Sequence, residues 1–376
     1  MTARVFLAHQ INGLVELYNV TIITNLNGNR SILDNISNKA NIIDLPIERN
    51  INLLADLRAL FILISIFYKN GFSLVHSVSP KAGLLTSIAA WISQVPNRLH
   101  TFTGQVWVTK EGVNRQFLKF LDKIIATLNT NVLVDSFSQQ DFLINEGILS
   151  KDLSIVLGNG SISGVDLKRF QPSKMHRNLI RKQLNITDDC LVFLFIGRLK
   201  KEKGIFELVE AFKNVRKHHD NLVLIIVGLD EEGLKHELML RLEKFIEFVR
   251  FVDFTKSPET YMNASDIFVL PSYREGFGSV IIEAASCGLP SIGSNIYGLS
   301  DAIIDGETGI LVPVKSIKDL EMAMHLLTKN SKMREEMGRA ANLIANDKFS
   351  QNILTDSLIS LYIDLLKNDH IKIKGS

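Results

Sequence analysis

Three short apolar runs, Leu191-Val192-Phe193-Leu194-Phe195-Ile196, Leu222-Val223-Leu224-Ile225-Ile226-Val227 and Ile267-Phe268-Val269-Leu270, constrain this chain more than any other feature. Unbroken apolarity over so short a length, bounded by turn residues, marks a strand buried on both faces. Strands that alternate with helical stretches then belong to a parallel sheet covered on both sides. The same rhythm runs through the whole chain. Strands are expected at 20–24, 42–44, 73–76, 98–102, 132–134 and 154–157, and again at 191–196, 222–227, 267–270, 291–292 and 310–312. Helices are expected between the early strands at 53–68, 80–92, 114–128 and 138–145.

A chain of 376 residues is long for one core and natural for two α/β domains, and 46% hydrophobic residues suffice to fill both. The boundaries are expected at 1–160 and 161–348, with 349–376 a terminal helix crossing back to the first domain. Gly158-Asn159-Gly160-Ser161 and the polar stretch 168–181 supply the turn chemistry of a hinge. The 42 basic and 40 acidic side chains leave a net charge of +2, which gives no footprint for nucleic acid. The two cysteines, Cys190 and Cys287, make neither a disulfide framework nor a metal site. No basic stretch followed by an apolar core opens the chain, so the cytoplasm is the expected compartment.

The chemistry concentrates after the third apolar run. Glu275-Gly276-Phe277-Gly278-Ser279-Val280-Ile281-Ile282-Glu283 places two carboxylates around a glycine-flanked aromatic, between a strand and a helix. Gly276 and Gly278 let the loop backbone approach a ligand closely, and Ser279 is placed to cap the helix whose positive end favours phosphate. Glu283 falls about one turn in, on the face of Ser279 and Val280, where it can accept hydrogen bonds from paired hydroxyls such as those of a ribose. Glu275 falls on the other side, beside a transferred sugar. Gly197-Arg198, with Lys203-Gly204 just beyond, ends the first apolar run in the same manner. Two glutamates at this spacing also fit capping or solvated residues, and Arg198 and Lys203 beside Lys200 and Lys201 also fit a solvated basic loop. Their combination at two strand-to-helix crossings is what points to a ligand at the carboxyl ends of a sheet.

This pattern resembles the retaining glycosyltransferases of family 4, whose fold is the two-domain GT-B type. The likeness extends through Ala284-Ala285-Ser286-Cys287-Gly288-Leu289-Pro290 and Asp305-Gly306-Glu307-Thr308-Gly309-Ile310-Leu311-Val312-Pro313. It implies two Rossmann-like doubly wound domains facing each other across a cleft, with Arg198 and Lys203 on the donor diphosphate, Glu275 on the sugar and Glu283 on the ribose. Gly197, Gly276, Phe277, Gly278 and Ser279 complete that donor site. It implies a nucleotide sugar, UDP-linked by family frequency, as substrate, with no cofactor. With no Asp-x-Asp pair in the sequence, metal-independent transfer is expected. The likeness is nearest to enzymes of O-antigen and capsule assembly, so a lipid-linked oligosaccharide acceptor is implied. Fold does not fix reaction, so a sugar-nucleotide epimerase or hydrolase, or a non-catalytic binding protein, stays open.

The first half carries weaker signals. Ser79, Lys81, Thr103 and Gly104 are similar to acceptor-side segments of the family, with Ser79 also fitting a helix cap ahead of Pro80. Thr103 stands where many members carry a histidine, so that role is not carried over. Trp107 fits either stacking on a sugar or ordinary loop packing. The stretch 58–68 is apolar all round but far short of the ~20 residues that span a bilayer, which reads as a buried helix. Arg115, Lys119 and Lys123 recur at four-residue spacing beside Phe117 and Phe120, which fits a basic stripe resting on anionic lipid or an ordinary amphipathic surface. The amphipathic surface is the first reading, and peripheral contact with the cytoplasmic face of the inner membrane is expected if the acceptor is lipid-linked. Family members begin with a strand and a glycine-rich loop, whereas Met1-Thr2-Ala3-Arg4 leads straight into a helix expected at 5–17. The first strand is therefore expected to be missing from the sheet centre, leaving unpaired edges, and a version with roughly twenty more upstream residues is expected to be more stable and more active.

Overall fold

The computed structural model describes residues 7–26, 28, 33–47 and 52–373, with side chains to 367. The chain divides into two compact units, Met1–Gly164 with Gln351–Ser376, and Val165–Ser350. The first holds β1 (Thr21–Thr24), β2 (Asn41–Asp44), β3 (Leu74–Val78), β4 (Asn97–Phe102), β5 (Asn131–Val134) and β6 (Ser154–Val156). The second holds β7 (Leu191–Ile196), β8 (Leu222–Val227), β9 (Val249–Val252), β10 (Ile267–Leu270), β11 (Ser291–Ser294) and β12 (Gly309–Val312).

The second unit is one six-stranded parallel sheet in the order β12-β11-β10-β7-β8-β9. Residues 192–195, 222–227 and 267–270 are buried throughout, as unbroken apolar runs require once helices cover both faces. The chain winds outward from β7 through β8 to β9, then returns to the other side of β7 and winds through β10 to β12. This reversal makes the β7/β10 junction the switch point of the sheet, where the loops part and open α/β sheets bind ligands. Strand β9 was not expected from the sequence. It is four residues long, carries Arg250, and lies on the sheet edge, so it lacks the continuous apolarity that marks its neighbours.

The first unit repeats the parallel arrangement in two pieces, β1-β2 and β3-β4-β5-β6. Among the described residues no strand joins β1 to β3, and the break falls where β7 stands in the other sheet. Side chains bridge the pieces: Ile23 and Val75 share one apolar cluster, Val20 and Leu74 another. Of the helix expected at 5–17, the structure shows Ala8–Leu14, and residues 5 and 6 lie outside those described. It packs on the final helix, Gln351–Ile373, through Leu14, Leu358 and Tyr362.

The helix Leu53–Asn70 corrects one expectation. It buries Ala59, Leu63 and Phe67, four residues apart, but leaves Leu54, Leu57 and Phe61 on the surface, so its all-round apolarity does not mean all-round burial. No helix among the described residues is long and apolar enough to cross a membrane.

Candidate active site

The site residues of the second unit come from β7 and β10, hydrogen-bonded neighbours, at their carboxyl ends. After β7 the backbone passes through Gly197 and Arg198 into one 3-10 turn, Lys201–Lys203, and Gly204 opens the helix Ile205–Arg216. Gly204 has φ +67°, and a Cβ on it would lie 2.0 Å from the Pro271 carbonyl oxygen. Only glycine lets this loop close on the residue that follows β10.

The two loops are then tied directly. The Tyr273 amide donates to the Glu202 carbonyl at 2.8 Å, and Arg274 Nη2 meets both Glu202 carboxylate oxygens at 3.1 Å. Lys203 Nζ donates to Glu275 Oε1 at 2.5 Å, with both side chains 14% exposed. A lysine ammonium has three donors, so this bond leaves two for an anion. Arg198 is held from the β8 side: its Nη1 lies 3.2 Å from Glu231 Oε2, which Lys200 Nζ also reaches at 3.0 Å. Gly228 makes that approach possible, since a Cβ there would stand 1.7 Å from the Gly197 carbonyl oxygen.

Beyond Glu275, the Gly276 carbonyl is pressed against Gly298 (φ +83°), and Gly278 (φ +76°) occupies the cap position of the helix Ser279–Ser286. Ser279 is the first helical residue and makes no side-chain cap, contrary to expectation, because the glycine's left-handed backbone makes the turn instead. The Phe277 ring is buried against Phe349, centroids 5.3 Å apart, so only its backbone is open to a ligand in this loop. Glu283 follows Ser279 by one turn, and its carboxylate has no hydrogen-bond partner among the described residues. Burial pushes its pKa up to about 7, with Arg169 lowering it and Glu259 raising it further. The structure therefore joins Lys203 to Glu275, holds Arg198 at the end of β7 against Glu231, and puts Glu283 on the helix that leaves the loop of Glu275.

In the first unit Ser79 and Thr103-Gly104 follow the neighbouring strands β3 and β4. Ser79 has φ +82° and no side-chain cap bond, so its capping role is not realised, while Pro80 does open the helix Pro80–Ile92. Lys81 pairs with Asp56 at 2.6 Å. Trp107 is fully buried: it stacks on Phe142 and donates its Nε1 to Asp122 at 2.7 Å, which removes it as a sugar platform. Arg115 and Lys119 lie over its ring and share Glu146, so two members of the expected basic stripe are spent inside the fold. His76 bridges Tyr362 and Thr101 at 2.7 Å, and burial lowers its pKa to about 4.

The family model described as glycosyl transferases group 1 matches residues 176–343. Across 332 residues, 87% of this chain and 86% of the relative, the sequence is 32% identical to the capsular polysaccharide biosynthesis glycosyltransferase CapM of Staphylococcus aureus. The chain belongs to the group 1 glycosyltransferases. This glycosyltransferase is also 28% identical, over 85% of its length and 82% of the relative's, to the UDP-Gal:alpha-D-GlcNAc-diphosphoundecaprenol alpha-1,3-galactosyltransferase of Escherichia coli. Its structure matches sucrose-phosphate synthase from Thermosynechococcus elongatus with a TM-score of 0.79 and 21% identity, covering 96% of this chain and 92% of that one. It matches Anabaena HepE, solved with UDP and glucose, with a TM-score of 0.79 and 17% identity, covering 97% and 96%. These likenesses speak for the fold, which is the GT-B type.

Sequence reasoning about the glycosyltransferase missed Glu202, Gly228, Glu231 and Gly298. Gly228 carried a usable signal, because it ends an apolar run as Gly197 does. The two glutamates carried none. Acidic loop residues are ordinary, and their partners lie more than thirty positions away or across the sheet.

Proposed function

We propose that this glycosyltransferase moves a hexose or N-acetylhexosamine, with retention at the anomeric carbon and without a metal ion, from a UDP-linked sugar to a lipid-linked oligosaccharide of a bacterial surface polysaccharide such as O-antigen or capsule. Lys203 and Arg198, with the amino end of the helix Ser279–Ser286, stabilise the departing diphosphate as its charge develops. Glu275 orients the donor sugar through its hydroxyls, and Glu283 holds the ribose. The bond from the anomeric carbon to the phosphate oxygen breaks as the acceptor oxygen bonds to the same face, and the acceptor proton passes to the departing phosphate oxygen. Ser79, Lys81, Thr103 and Gly104 face the acceptor. The enzyme works on the cytoplasmic face of the membrane that carries this lipid.

The observation that carries this reading is the Lys203–Glu275 contact, which brings together the cation proposed for the phosphate and the carboxylate proposed for the sugar. The naming of the two relatives, one for capsular polysaccharide and one for a diphosphoundecaprenol-linked substrate, supports the acceptor class. Thermal-shift screening against UDP, GDP and their sugars selects the donor. Incubation with that donor and a lipid-linked acceptor, with the product's anomeric configuration read by NMR, then tests transfer. Epimer or free sugar formed from donor alone would replace the transferase by an epimerase or hydrolase, and nucleotide binding with no turnover would leave a binding protein.

A further inference from the structure

Lys203 and Glu275 each have a chain neighbour that forms a second ion pair between the same two loops. Arg274 Nη2 lies 3.1 Å from both carboxylate oxygens of Glu202, so an acid followed by a base on one loop faces a base followed by an acid on the other. The two pairs are mostly enclosed, and together they carry no net charge. Their duties differ. In the proposed function Lys203 serves the diphosphate and Glu275 the sugar, so both turn to the ligand when the donor binds. Glu202 and Arg274 have no ligand to serve, and their bond is spared.

The segment just before Glu275 is fixed without either ligand-facing side chain. The Tyr273 amide donates to the Glu202 carbonyl at 2.8 Å, and the Tyr273 hydroxyl donates at 2.5 Å to Glu207 Oε1 on the first turn of the helix Ile205–Arg216. Lys315 Nζ stands over the Tyr273 ring, 5.0 Å from its centroid. Among the described residues Glu202 is the only hydrogen-bond partner of the Arg274 guanidinium, whose Nε is buried with none, so loss of Glu202 releases that side chain altogether. Burial raises the Glu202 carboxyl, but Arg274, with Lys203 and Lys200 behind it, outweighs burial and holds the pKa below the ordinary carboxylate value. The pair therefore stays charged across the window in which Glu283 titrates. We infer that Glu202 and Arg274 are positioning residues, whose ion pair holds Glu275 against the donor sugar while Lys203 is drawn to the diphosphate. This assignment rests on the proposed roles of Lys203 and Glu275, and it gives the tie between the loops a part in sugar recognition.

The test separates the sugar from the nucleotide. Calorimetry of the full chain with UDP, UDP-glucose, UDP-galactose and UDP-N-acetylglucosamine gives the ratio of UDP-sugar to UDP affinity, and its stoichiometry counts the folded sites. Arg274→Gln and Glu202→Gln are each expected to keep UDP affinity within about twofold of the parent. Both should lose roughly tenfold in the ratio for the preferred sugar and in kcat per folded site, because a carboxylate displaced by about 1 Å no longer meets its hydroxyls. The double variant should lose no more than either single one, since each residue acts through the other. Arg274→Lys should recover part of the loss. In a Glu275→Gln background, Arg274→Gln should change neither quantity further, an outcome that a merely structural role would not produce. An unchanged ratio and kcat in Arg274→Gln, or a second loss of the same size in the Glu275→Gln background, would overturn this inference alone. A parent that binds none of the four nucleotides, or whose ratio is indifferent to Glu275→Gln, would remove the proposed donor site and this inference with it.

Discussion

Lys203 Nζ and Glu275 Oε1 lie 2.5 Å apart although 72 positions separate them in the chain, and this contact joins the loops that follow β7 and β10. Replacing Lys203 by Ala strips a largely enclosed carboxylate of its counter-ion and, in the proposed function, a diphosphate of a hydrogen-bond donor. Turnover is expected to fall by about 2–4 kcal/mol in barrier terms, and Arg198→Ala to do the same. The swapped pair Lys203→Glu/Glu275→Lys separates chemistry from scaffolding: it should keep the melting temperature near that of the parent and lose turnover. An unchanged rate in any single variant removes that residue from the site.

Glu283 should make donor binding depend on pH. Its pKa is raised to about 7, so it is mostly protonated below neutrality, and in its proposed role on the ribose it accepts hydroxyls best once ionised above it. UDP-sugar affinity measured by calorimetry between roughly pH 6 and 8 should rise through that window, and Glu283→Gln should bind more weakly by about 1.5–3 kcal/mol at the upper end with a flat profile. The sign for stability is the reverse. A carboxyl whose folded pKa is raised contributes stability that is full below its unfolded pKa and lost as pH rises through the folded one, so Glu283→Gln should melt higher than the parent above neutrality. A parallel pH profile in both proteins would end this assignment.

The glycines of the strand ends divide into two classes. Gly204 and Gly228 have positive φ and a backbone carbonyl within 2.0 Å of any added Cβ, whereas Gly233 and Gly306 have positive φ with open space around them. Alanine at either of the first two should cost about 2–4 kcal/mol in urea unfolding, and at the second two only about 1 kcal/mol. Equal losses in the two classes would mean that the β7, β8 and β10 loops do not close on one another.

At the opposite, amino end of the same central strands Arg181, almost fully buried, pairs with Asp266 Oδ2 at 2.9 Å and donates to the carbonyls of Ala264, Thr187 and Cys190. The same Asp266 oxygen accepts the Val192 amide at 2.7 Å, so one carboxylate pins the starts of β7 and β10 together. Asp266→Ala leaves a buried guanidinium unpaired and should cost about 3–5 kcal/mol in stability, with the affinity for nucleotide sugar retained in the folded fraction. A loss of affinity with stability intact would contradict this purely structural role.

Much of the second unit was legible because its signals are local. Residues 191–196, 222–227 and 267–270 announce buried strands by their own apolarity, and Gly204 and Gly278 stand at the turns that their missing side chains permit. The first unit was less legible. Its strands are shorter in apolar content, and the burial of Trp107 or the exposure of Phe61 depends on which neighbour covers each face, which no local pattern records.

The order of strands and helices, the placing of Arg198, Lys203, Glu275 and Glu283 at strand-to-helix crossings, and the family follow from the amino-acid sequence alone, because apolar continuity and turn chemistry act over a few residues. The tertiary structure decided the partners. Glu231 holds Arg198, Glu146 holds Arg115 and Lys119, the Phe277 ring turns into the core, and the first sheet stands in two pieces. Each of these depends on groups far apart in the chain meeting across a sheet or between helices, and such meetings are set by packing, which a one-dimensional pattern does not encode.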